Sequence, residues 1–138
     1  RDDAMSGVRE LPRLLPTLDA SAREGEFAFV TRPQADPGLA VTASAIVRET
    51  EGFTYVVPCA VADAHGLAYD FRAAWLTLEV HSALDAVGLT AAVSSALARH
   101  GIPCNVLAGF HHDHLLVAAD RRDDALAVLA ELARDAGA

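Results

Sequence analysis

The chain has 138 residues, 52% of them hydrophobic, and a mean hydropathy of +0.24, enough apolar content to bury a core and too much for a disordered chain. Its formal charge is −8, with a pI of about 5.0. That balance offers no basic surface for releasing phosphate counterions and excludes nucleic acid as an expected partner. In chain order, "LPRLLPTL" at 11–18 sets Leu11, Leu14, Leu15 and Leu18 at helical spacing, with Pro12 suited to a first turn and Pro16 ending the segment. "FAFVT", 27–31, reads as a strand and "RPQADPG", 32–38, as a loop. "VTASAIVRE", 41–49, alternates like a half-buried strand, "TEG", 50–52, turns, and "FTYVVPCAV", 53–61, returns as a strand. "ADAHGL", 62–67, has room for one helical turn.

"AWLTLEVH", 74–81, alternates cleanly, with Leu76, Leu78 and Val80 on one side and Trp75, Thr77, Glu79 and His81 on the other. A helix over roughly 86–100 follows, its apolar stripe made by Leu89, Val93, Ala96 and Leu97, and Gly101 stops it. "CNVLAGF", 104–110, and "HLLVAA", 114–119, are strands. Asp120 is placed to cap a last helix through about Asp135, with a stripe of Leu126, Leu129, Ala130 and Ala133. From 74 onward the order is strand, helix, strand, strand, helix, a ferredoxin-like unit short of one strand. "FAFVT" is the expected donor of that strand.

All eleven basic residues are arginine, which removes Schiff-base and P-loop lysine chemistry. Cys59 and Cys104 lie in apolar runs and read as free thiols in a reducing cytoplasm. No run approaches the about 20 apolar residues of a membrane span, and no signal peptide is visible, so a cytoplasmic location is expected. Met5 is the only methionine, so residues 1–4 are expected to precede the natural start. "HHDH", His111 to His114, invites a metal reading. Zinc needs three or four ligands converging at about 2 Å, however, and contiguous residues at a tight turn mostly diverge. His112 and Asp113 are expected as central turn residues, with Asp113 bonding the local backbone. No G-x-S-x-G elbow and no glycine-rich phosphate loop is present.

The string "TLEVHSALDAVGLTAAVSSALARHGIPCNVLAGFHHDHLLV", 77–117, resembles the ACT domain, a small ligand-binding module of the regulatory regions of aspartate kinase and other amino-acid enzymes. Asp85-Ala86-Val87-Gly88 takes the place of the D-x-P-G motif, with Val87 where proline is usual. Gly101-Ile102 and Asn105-Val106 take the later motif positions. More closely, the chain resembles small stand-alone bacterial proteins made of two ACT-like halves, well over 74–134 and more loosely over 8–73. The resemblance implies an α+β, ferredoxin-like ACT fold in which helices cover one face of antiparallel sheets. It divides the chain into an N-terminal half at 5–72 and a C-terminal ACT domain at 73–138.

The implied role is a non-catalytic sensor or regulatory protein that binds an amino acid or related metabolite, without cofactor or metal, and forms a homodimer. The free N–H groups of a helix start suit a carboxylate. Gly88 permits close approach, Asn105 offers a donor and an acceptor, and Asp85 an acceptor for the ammonium group. The candidate ligand-binding residues are His81, Ser82, Asp85, Ala86, Val87, Gly88, Leu89, Thr90, Asn105 and His114. The plainer reading of Asp85 and Gly88 is that they only shape a strand–helix turn. Two other functions stay open on sequence: a small metal-dependent enzyme built on His81, His112, Asp113 and His114, and a ligand-free interaction module.

Overall fold

The computed structural model describes residues 10–80 and 87–138. The chain forms two compact units, a continuous one at Glu24–Ala73 and a composite one that joins residues 10–23 to Ala74–Ala138. In chain order the elements are α1 (Leu11–Leu14), running into a 3₁₀ turn (Leu15–Thr17), β1 (Ala20–Ala22), β2 (Phe27–Arg32), α2 (Pro37–Thr42), β3 (Ala45–Glu49), β4 (Gly52–Pro58) and α3 (Cys59–Ala64). There follow β5 (Arg72–Leu78), α4 (Leu89–Arg99), β6 (Cys104–Ala108), β7 (Asp113–Ala118), a 3₁₀ turn (Ala119–Arg121) and α5 (Arg122–Gly137).

In the continuous unit the strands lie in the order β3-β4-β2, and the first residues of β5 complete the sheet through Phe27↔Ala73 and Ala28↔Arg72. Helices α2 and α3 pack on the face that carries Ala28, Val30, Tyr55 and Val57, around Leu39, Cys59 and Ala62. Two expectations fail here. The segment expected as a loop and then a strand from 41 instead forms α2, because the Asp36 carboxylate accepts the Leu39 N–H at 3.1 Å and Pro37 stands where no amide donor is needed. The strand expected to reach 61 ends at Pro58, and α3 starts at Cys59, whose N–H donates to the Glu26 carbonyl. The dipeptide Asp-Pro and the residue Pro58 both read as breakers in sequence; here each opens a helix.

The composite unit has the strand order β1-β5-β7-β6. Its apolar core gathers Leu76 and Leu78 from β5, Leu115 and Val117 from β7, and the buried face of α4, which is the expected Leu89, Val93, Ala96 and Leu97. The α4 terminus closes as a Schellman turn, the Gly101 N–H bonding the Ala98 carbonyl and the Ile102 N–H the Leu97 carbonyl. The missing strand is not supplied by "FAFVT". β1 supplies it, in the register Ala20↔Leu78, Ser21↔Thr77 and Ala22↔Leu76. Three short residues carry no strand signal of their own, and Phe27–Arg32 pairs with β5 only at Arg72 and Ala73, leaving Leu76–Leu78 to β1. Asp120 does not cap α5 either: it lies in the 3₁₀ turn, and Arg121 holds the cap position. The buried stripe of α5 is Ala125, Val128 and Leu129, with Ala130 exposed. The alanines and leucines of α5 form so broad an apolar arc that only packing decides which part is buried.

Candidate strand–helix site and the polar face of the composite unit

The helix start described by the sequence motif is present at Gly88. This residue is the N-cap of α4, with φ +106, and no side chain caps the first turn. A β-carbon at Gly88 would sit 3.0 Å from Leu11 Cδ2, so α1 packs directly against the turn and only glycine fits that backbone without strain. The first helical bond runs from the Ala92 N–H to the Gly88 carbonyl at 2.8 Å. Val87 is 83% exposed. Leu89 is buried in the core, so its side chain faces away from solvent, while Thr90 is exposed. His81, Ser82, Asp85 and Ala86 lie outside the described residues.

Asn105 is exposed on β6, directly opposite Leu116, and Leu107 stands opposite His114. Cross-strand partners share a face, so Asn105 and His114 lie on the same side of the sheet, the side away from α4 and α5. His114 belongs to a polar group that sequence reading did not assemble. Its Nδ1 lies 2.9 Å from Thr77 Oγ1 and its ring 5.1 Å from that of Trp75. The Arg23 guanidinium carbon lies over the Trp75 ring, 4.2 Å from its centroid. Beside it, the Ser21 hydroxyl donates to Glu79 Oε1 at 2.7 Å, and Glu79 Oε2 stands 3.6 Å from His112 Nε2. The alternation of β5 placed Trp75, Thr77 and Glu79 together in advance. Ser21 and Arg23 were missed because Ser21 lies within, and Arg23 just after, a three-residue strand.

"HHDH" divides differently from the expectation. The loop is 109–112, closed by the Gly109 N–H donating to the His112 carbonyl at 2.8 Å. Asp113 is not a turn residue: it opens β7 opposite Ala108 and is buried, on the face that carries Leu115 and Val117. His114 therefore points to the other face. Among the described residues no three His, Cys, Asp or Glu side chains converge on a possible metal position.

Burial first, then the positive charges of Arg23 and His112, pull the His114 imidazole below its ordinary value, against the smaller opposing pull of Asp113 and Glu79. The unfolded chain therefore binds the proton at higher pH than the folded one. The corresponding stability is present above the ordinary histidine value of about 6.5 and is lost as pH falls below it. Unfolding midpoints measured between neutral and mildly acidic pH should fall for the native chain and fall less for His114→Asn. Equal slopes would show that His114 does not drive the change.

Two family models described as the ACT domain match residues 6–74 and 71–131. The chain belongs to the ACT domain family. Its two ACT-domain matches overlap at the start of β5, the strand that takes part in both units. A Vibrio cholerae protein of unknown function, described as a possible transport protein, has a crystal structure that matches at 38% identity and a TM-score of 0.82 over 93% of this chain and 99% of that one. An Agrobacterium tumefaciens protein shares the ACT fold at 21% identity and a TM-score of 0.70, covering 84% of this chain and 89% of that one. The ligand-free regulatory subunit of aspartate kinase from Thermus thermophilus shares it at 11% identity and a TM-score of 0.58, covering 82% and 95%. No curated protein matches this ACT-domain chain.

Proposed function

We propose that this ACT-domain chain is a non-catalytic sensor that binds a small molecule of the amino-acid class at the strand–helix turn leading into α4. The observation that carries the reading is the start of α4 at Gly88, where no side chain caps the backbone N–H groups at the positive end of an eleven-residue helix. Val87, Gly88, Leu89 and Thr90 would offer backbone donors to a carboxylate, and His81, Ser82, Asp85 and Ala86 are the further ligand contacts that the sequence motif implies. Asn105 and His114, expected from the sequence to meet the ligand, lie on the sheet face away from α4, and the Asn105→Ala substitution below tests whether they take part. Membership of a family that includes regulatory modules supports this role, as does the fold shared with an aspartate kinase regulatory subunit.

The reading includes a homodimer, supported by β3, an edge strand whose Ile46 and Val47 are 47% and 43% exposed. It also includes a cytoplasmic location, supported by the free thiols of Cys59 and Cys104. No described helix is long and apolar enough to cross a membrane.

The test is a thermal-shift screen against the twenty amino acids, followed by calorimetry of Asn105→Ala and Gly88→Asp with the amino acid that stabilises the chain. A true ligand raises stability by about 2.7 kcal/mol at a hundredfold excess over its dissociation constant. Both substitutions should weaken it. Unchanged affinity in both variants would sink the site assignment, and a shift with zinc alone would favour metal chemistry instead.

A further inference from the structure

Trp75 is the single tryptophan of the chain and is 2% exposed. Two side chains of the composite unit lie against its indole. The Arg23 guanidinium carbon is 4.2 Å from the ring centroid, and the centroid of the His114 ring is 5.1 Å away. The first contact sets a cation over the electron-rich face of an aromatic ring. A neutral imidazole beside it is compatible with that cation. An imidazolium is not, because a second positive charge then shares the same indole and repels the guanidinium.

The two side chains are not held alike. His114 stands within β7, its Nδ1 2.9 Å from Thr77 Oγ1, and a β-carbon at Gly109 would come within 3.2 Å of its Nε2. The ring is therefore confined at both nitrogens. Arg23 follows β1 and is exposed, and its long side chain can turn into water. The charged and titratable groups that face His114 are Arg23 after β1, Glu79 after β5, His112 before β7 and Asp113 on β7 itself. Glu79 is engaged by others: Oε1 accepts from the Ser21 hydroxyl, and Oε2 faces His112. It therefore offsets a proton on His114 only in part. We infer that His114 and Arg23 form an acid-sensitive switch on Trp75, in which protonation of His114 expels the Arg23 guanidinium and uncovers the indole. The switch needs no bound ligand and stands apart from the turn at Gly88.

The test is acrylamide quenching of Trp75 fluorescence in the full chain at about pH 7.5 and about pH 5, on either side of the ordinary histidine range. In the native chain quenching should rise at the lower pH and reach the level that Arg23→Gln shows at both. In His114→Asn it should stay low at both. His112→Gln should keep the native response, which separates the two histidines. Urea unfolding supplies a second reading: Arg23→Gln should lower the midpoint at the higher pH only, and in the His114→Asn background it should lower it equally at both. The inference is overturned by native quenching that does not change with pH, by the same change in His114→Asn, or by a native-like response in Arg23→Gln. If His114→Asn does not fold, His112→Gln and Arg23→Gln carry the result. A response lost in His112→Gln would assign the proton to His112 and overturn the inference as well.

Discussion

Gly52→Ala is expected to be among the most damaging single substitutions in the chain, costing about 3 kcal/mol or more. Gly52 closes the β3–β4 hairpin opposite Glu49, with φ +146. A β-carbon there would stand 2.4 Å from the Arg32 carbonyl oxygen and 3.1 Å from Pro33 Cα. Both are backbone atoms of the neighbouring strand end, so no side-chain rotation relieves the contact. The backbone conformation adds its own strain for any residue with a β-carbon. Urea unfolding should show a midpoint lower by about 1 M or more. Gly66→Ala is the control: its φ is +64, but nothing lies within 4 Å of the added carbon. If the two variants unfold together, the close approach at Arg32 is not what the glycine serves.

The second large effect is expected at Leu14→Ala, at about 2–5 kcal/mol. Leu14 lies on the four-residue α1, which on length alone would be dismissed as a frayed lead-in. Its side chain is 2% exposed and belongs to the same core cluster as Leu76, Leu97 and Leu129. Truncation leaves a hole that the surrounding strands and helices cannot fully close. A fall in the melting temperature of the order of 10 °C is the expected result. Val41→Ala, at a side chain 87% exposed, should change almost nothing. A melting temperature unmoved by Leu14→Ala would mean that residues 10–23 are not part of the composite core.

The ferredoxin-like architecture was legible where periodicity was strong. The alternation of β5 and the stripe of Leu89, Val93, Ala96 and Leu97 on α4 each predicted both the element and its buried face. The failures have a common cause: short elements set by one or two residues. α2 depends on the Asp36 cap and Pro37, and β1 on three residues whose only distinction is the strand they pair with. For the candidate site, sequence located the glycine at the α4 start and placed Asn105 on a strand. It could not bring Ser21 and Arg23 to Glu79 and Trp75, because that proximity arises from pairing between residues far apart in the chain. Asp113 shows the reverse error: a polar residue between histidines suggests a solvated turn, yet its strand position buries it.

The pairing of β1 with β5 also sets an order of events during synthesis. The continuous unit is one uninterrupted stretch, and all its strand partners lie within Glu24–Ala73. It can close as soon as that stretch has left the ribosome. The composite unit must hold Ala20–Ala22 in reserve until Leu76–Leu78 emerges, and its core is complete only when α5 arrives with Val128 and Leu129. In the interval Leu14 and Leu18 are apolar side chains without their final neighbours, so the nascent chain passes through a state with exposed hydrophobic surface. The earliest segment described is thus among the last to find its place.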